Sequence, residues 1–190
     1  PAVAESMLNL AFLRATSDRA AEALPLLEQG LAMNQRLFPE GHPSVAHGFY
    51  TLGTTRLELG DAAAAEGAFD QAITMHESLF SGDYIGTAMS YARRASARAA
   101  QTGKADGARK DFDAALAMLR RLPEGRTALC DVLAQSAQQR LDVRDARGAL
   151  KELEELVPLA ESAHDADSPR LAEYRAALAK CRQAVAAESR

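Results

Sequence analysis

Between Gly41 and Phe80 the apolar residues fall three and four apart in two successive runs. The first run carries Val45, Phe49 and Leu52. The second carries Ala65, Phe69, Ala72, Ile73 and His76 on one face. That spacing predicts two amphipathic helices, over about 43–59 and 62–80, each burying one side. Gly60 can end the first helix and Asp61 can cap the second, which predicts a short antiparallel connection.

The same unit recurs along the chain. Ala65 and Phe69, four apart, have counterparts in Ala23 and Leu27, Ala108 and Phe112, and Ala149 and Leu153. The steps between the alanines are 42, 43 and 41 residues, and Pro43 and Pro169 lie 126 apart, three steps of 42. A fixed period in this range predicts stacked helical repeats, each packing on its neighbours.

Phe49, Leu52-Gly53, Ala65, Phe69 and Ala72 match the pattern of the tetratricopeptide family, and the second unit resembles that family closely. The period is longer than the usual ~34 residues. The joint His42-Pro43-Ser44-Val45-Ala46 and the run Ala23-Leu24-Pro25-Leu26-Leu27 look like the kinesin-light-chain-type variant. The resemblance implies an all-α fold, a right-handed α-solenoid of four helix hairpins and a C-terminal capping helix. The expected organisation is a single repeat domain over 1–190. Its units cover approximately 1–38, 43–80, 84–122 and 126–163, and the capping helix covers 168–187.

Taken in order, Pro1 to Ala15 reads as the first helix, apolar on more than one side at Met7, Leu8, Leu10 and Phe12. The start at Pro1 suggests a segment of a longer protein with neighbours upstream. Pro25 falls inside the next helix and is expected to kink it. In the third unit Ala92, Ala95 and Ser96 stand where Phe49, Leu52 and Gly53 stood. This predicts either closer packing or a less stable unit. Pro123-Glu124-Gly125 breaks the pattern, and Pro158 either kinks or ends the helix it falls in. Ser168-Pro169 opens a last helix as a cap followed by proline at the first helical position. Leu171, Tyr174, Leu178, Cys181 and Val185 share one face of it.

Composition narrows the function. A formal charge of −4 argues against general nucleic-acid binding, which needs a basic footprint. No run reaches the ~20 apolar residues of a membrane span, and no secretory apolar region opens the chain. Cys130 and Cys181 lack metal or redox spacing and read as reduced, packed thiols, with a disulfide or a reactive thiol as the competing reading. The expected location is cytoplasmic. The 18 arginines against 4 lysines, with abundant alanine, suggest a GC-rich bacterial genome.

Catalytic chemistry finds little support. The histidines at 42, 47, 76 and 164 form no i, i+4 pair and no ligand frame. His42 is expected to cap or pack, and His76 to be a hydrogen-bonded interior residue. His164, Asp165, Asp167 and Ser168 could form a cation loop, but Pro169 and the missing glycine favour a solvated linker. Glycines sit at turns rather than in a phosphate-binding frame. No cofactor, no metal and no enzyme activity are expected.

The resemblance places ligand-facing side chains on the first helix of each pair, along a concave surface. The residues so placed are Asn9, Tyr50, Thr54, Arg93, Arg94, Gln135 and Gln138, with Glu5, Phe12, His47, Thr51 and Glu58 nearby in the first two units. Ser90, Ala97, Asp131 and Lys180 extend the surface later. Asn9 matches the family's asparagine, whose amide can pair with a peptide backbone. Thr51, Arg94 and Gln135 replace it in later units. Arg93 and Arg94 could hold a carboxylate or phosphate. The competing reading pairs them, with Arg98, to acids on neighbouring helices or leaves them as a solvated face.

These observations point to a protein–protein interaction module that takes a peptide or partner helix, with an acidic ligand suggested by the arginines. A regulatory or sensory segment of a larger signalling enzyme, such as a bacterial serine/threonine kinase, is an alternative. Self-association through the N-terminal helix is another.

Overall fold

The computed structural model describes residues 6, 7, 10, 20–163 and 168–188. Ser6, Met7 and Leu10 are helical. The helices that follow are α1 (Ala20–Leu37), α2 (Pro43–Glu58), α3 (Ala62–Leu79), α4 (Ile85–Ala99), α5 (Ala105–Arg121), α6 (Arg126–Asp142), α7 (Ala146–Ala163) and α8 (Pro169–Glu188). Pro123–Gly125 forms a single 3-10 turn before α6. Among the described residues there is no strand, and the fold is an all-α helical repeat.

The four marker pairs all lie in the core. Ala23, Ala65, Ala108 and Ala149 are fully buried, as are Leu27 and Phe69, with Phe112 and Leu153 nearly so. The alanine lets two helices cross closely, and the larger residue one turn later fills the space beside the crossing. Gly53 shows how tight that space is. A Cβ on Gly53 would lie 2.7 Å from the Phe69 ring, so the glycine of the Leu-Gly pair is a requirement of the aromatic opposite it.

The turns inside the hairpins share one device. Gly60 and Gly103 adopt φ of +81° and +79°, and each is followed by the cap of the next helix. Asp61 Oδ1 accepts from the Ala64 amide at 3.1 Å. The fourth unit places Arg144 at the same position, with φ of +63°. It retains the cap, since Asp145 Oδ1 accepts from the Gly148 amide at 2.9 Å.

The joints between hairpins repeat as well. Phe38 stacks on His42 at 4.1 Å, and Phe80 stacks on Tyr84 at 4.0 Å. His42 also caps α2, its Nδ1 accepting from the Ser44 amide at 3.1 Å. The next joint lacks aromatics and uses the 3-10 turn. His76 is buried as expected, packed edge-on to Tyr84 at 5.2 Å. Among the described residues its Nδ1 has no hydrogen-bond partner, so at that nitrogen the expected hydrogen bond is replaced by packing. Burial, reinforced by the nearby His47, holds its imidazole below the ordinary value.

The chain falls into two compact units, residues 1–115 and 116–190. In the first, α1 packs on α2, α2 on α3, and α3 on α4, with α2 also touching α4. In the second, α6 packs on α7 and α7 on α8. Both prolines inside helices are accommodated, and α7 continues past Pro158 to Ala163. Cys130 and Cys181 are buried thiols that are not joined in a disulfide, and Cys181 donates to the Ala146 carbonyl at 3.1 Å.

Candidate partner-binding surface

In the first compact unit α2 and α4 build a polar and aromatic surface. Tyr50 lies half-buried on α2, its ring edge-on to Phe69 at 6.0 Å and stacked with His47 at 6.4 Å. Thr54, one turn on, turns its hydroxyl back to donate to the Tyr50 carbonyl at 3.0 Å. Its oxygen remains able to accept. Thr51 is buried and does the same with the His47 carbonyl at 2.9 Å. On α4, Arg93 reaches toward α2, where its Nε donates to the Tyr50 hydroxyl at 3.4 Å.

Arg94 points elsewhere, as a one-residue step turns a helical side chain by about 100°. Its Nε and one terminal nitrogen donate to both oxygens of Asp111 at 2.9 and 2.7 Å. The other terminal nitrogen donates to Asp70 at 2.6 Å, and the guanidinium lies over the Tyr91 ring at 4.9 Å. Arg98 donates to Asp111 and Glu66, each at 2.9 Å. Glu66 also accepts from Lys104 at 2.6 Å and Gln101 at 2.8 Å. Three cations and three carboxylates thus balance across α3, α4 and α5 and the turn before α5.

The electrostatics follow from this packing. Burial alone would raise the Glu66 carboxyl, but hydrogen bonds from Lys104, Arg98 and Gln101 outweigh it and hold it down to about 2. Burial likewise disfavours the charged form of Arg94, and the Asp111 and Asp70 carboxylates reverse that, raising its pKa. Arg94 and Arg98 therefore pair with acids on neighbouring helices. Arg93, by contrast, has no carboxylate partner among the described residues, so the anion-holding reading rests on Arg93.

The carboxylates in this network were not singled out in the sequence, although a signal for them exists. Asp111 lies three residues after the buried Ala108 and one before Phe112, on the apolar face of its helix. An acid there must find a partner. Glu152 holds the matching place after Ala149, accepting from Ser136 at 2.9 Å and Arg140 at 2.7 Å.

The other expected surface residues divide as follows. Asn9, with Glu5 and Phe12, and the His164–Asp167 loop lie outside the described residues. In the second compact unit Gln135 is half-buried on α6. Gln138 is exposed and donates to Asp142 at 2.8 Å. Gln138 also borders a groove between α6 and α8. Among the described residues no group of three or more His, Cys, Asp or Glu could hold a metal ion. Nor is any described helix long and apolar enough to cross a membrane.

A family profile described as tetratricopeptide repeat matches residues 2–78. Residues 2–78 belong to the tetratricopeptide repeat family, and the chain has the fold of its kinesin-light-chain type. A Podosopora anserina kinesin light chain with nearly identical TPR-like repeats is similar over 97% of this chain and 88% of its own. The two share 19% identity, with a TM-score of 0.80. BtubC (BKLC) from P. vanneervenii is similar at 17% identity and a TM-score of 0.81, over 97% of this chain and 74% of its own. A thermophilic TPR protein of Thermus thermophilus is similar at 20% identity and a TM-score of 0.62, over 96% of this chain and 82% of its own. No curated protein matches the sequence at a significant level. The tetratricopeptide fold is, in general, that of a protein–protein interaction module.

Proposed function

We propose that the chain is a non-catalytic interaction module whose α2/α4 surface binds an extended peptide or partner helix presenting an acidic side chain. The observation that carries this reading is the difference between adjacent arginines. Arg94 and Arg98 each pair with two carboxylates of their own chain, whereas among the described residues Arg93 meets only the Tyr50 hydroxyl. A guanidinium held by one neutral oxygen keeps donors for an incoming carboxylate, and such charge-assisted bonds are the stronger kind. Tyr50 adds an amphipathic ring with low conformational cost on binding. His47 and the Thr54 oxygen extend the polar contact along α2.

The test is a selection of random peptides displayed against the chain, repeated with Arg93→Glu. Arg94 is left intact, because its reversal would put a third carboxylate against Asp70 and Asp111. The selected peptides should share an acidic position, and their affinity should fall at least about tenfold in Arg93→Glu. Peptides without an acidic position, or binding indifferent to Arg93→Glu, would place the interface elsewhere.

A further inference from the structure

The second compact unit carries a different feature, independent of Arg93. Between α6 and α8 runs an open groove lined by Leu141, Glu173, Ala176, Ala177, Lys180 and Ala184. Successive residues of a helix are turned by about 100°. Glu173, Ala177, Lys180 and Ala184 therefore lie along one line of α8, with Ala176 beside it. The line is small and apolar in its middle and charged at two points.

The charges on α8 are not all alike. Arg170 is paired with Asp131 at 2.8 Å, Arg175 with Glu161 at 2.7 Å and Arg182 with Glu154 at 3.1 Å. The remaining charged side chains between Pro169 and Ala187 are Glu173 and Lys180. Neither has a carboxylate or cation partner among the described residues, and both are exposed at the groove. They have opposite sign and stand seven residues apart, about 10 Å along the axis.

This arrangement is self-complementary. A second α8 laid antiparallel, with the two-fold axis between Ala176 and Ala177, sets Glu173 of one copy against Lys180 of the other, twice. The same register sets Ala176 against Ala177, where small side chains let helix axes approach to about 8 Å. An isologous contact needs one patch that complements itself, and this face meets that condition. We infer that the α6/α8 groove is the seat of a weak two-fold dimer, in which each copy's α8 packs against its counterpart through reciprocal Glu173–Lys180 pairs. One helix pair buries less than the ~1,200–2,000 Å² of a stable interface, so the association belongs to the transient class.

Sedimentation equilibrium over a wide concentration range tests this with four proteins: wild type, Glu173→Lys, Lys180→Glu and the double reversal. These residues are exposed, and helical content measured alongside excludes misfolding. The wild type should dimerise reversibly. Each single reversal should weaken the dimer at least about tenfold, because it sets like charges face to face twice. The double reversal should restore it, since opposite signs again meet. A wild type that stays monomeric throughout would overturn the inference and leave the groove to another chain. A dimer that ignores the single reversals, or that the double reversal fails to restore, would overturn it as well.

Discussion

Gly53 shows how one residue type can be set by a single neighbour. The Phe69 ring occupies the space a Cβ would need, and Phe69 is fully buried beneath Tyr50. Gly53→Ala is expected to destabilise by about 1–3 kcal/mol, as small-to-large changes in packed cores do. Chemical denaturation would show it, and an unchanged midpoint would mean the ring moves freely. Arg144 is the opposite case. It holds a positive φ where the two equivalent positions carry glycine. A left-handed backbone costs an L-residue roughly 1–2 kcal/mol, partly offset by the entropy glycine loses on folding. Arg144→Gly should therefore stabilise by up to about 1 kcal/mol, read as a rise in the denaturation midpoint.

At the scale of the helix, the third unit replaces one way of packing with another. Thr51, Thr55 and Ala68 of the second unit correspond to Arg94, Arg98 and Asp111 of the third. Ala92 and Ala95 are buried, and the arginines beside them bridge to α5. Asp111 is buried and satisfies two guanidiniums. Asp111→Asn removes that charge and should cost toward the lower end of about 3–5 kcal/mol, since Arg94 and Arg98 keep some contact with water. A loss below about 1 kcal/mol in thermal or urea unfolding would show that the network contributes little.

The helices themselves were legible in the sequence because their apolar period, caps and glycines all point the same way. Ala23, Ala65, Ala108 and Ala149 marked the repeat, and the structure buries all four. The distinction between Arg93 and Arg94 was not legible. Both lie on the same helix and differ only in which neighbours they reach, and the position of Asp70 and Asp111 relative to α4 is a tertiary fact. His76 was placed inside correctly, but its lack of a partner for Nδ1 follows from the aromatic joint around it.

At the scale of the whole molecule, charge inside the fold makes stability depend on pH. The Glu66 carboxyl is held at about 2 in the folded chain against an ordinary 4.5. A depressed carboxyl contributes stability that is fully present above about 4.5 and is lost as pH falls toward 2. His76 acts earlier, since its lowered value means the unfolded chain takes up its proton first below 6.5. Urea midpoints should therefore decline from about pH 6.5 and more steeply below 4.5. Glu66→Gln should lower the neutral-pH midpoint and flatten the acid limb. An unchanged acid limb would show that Glu66 is not linked to folding.

The surface around Arg93 connects these scales to function. Repeat folds present side chains along open faces, so partner choice rests on which of them remain unpaired after folding. The most direct measurement is a proton–nitrogen correlation spectrum of the chain, titrated with a selected acidic peptide. The binding account predicts that shifts concentrate at Tyr50, Thr54, Arg93 and their neighbours on α2 and α4, and that they vanish in Arg93→Glu. Shifts confined to residues 116–190, or unchanged by Arg93→Glu, would contradict it.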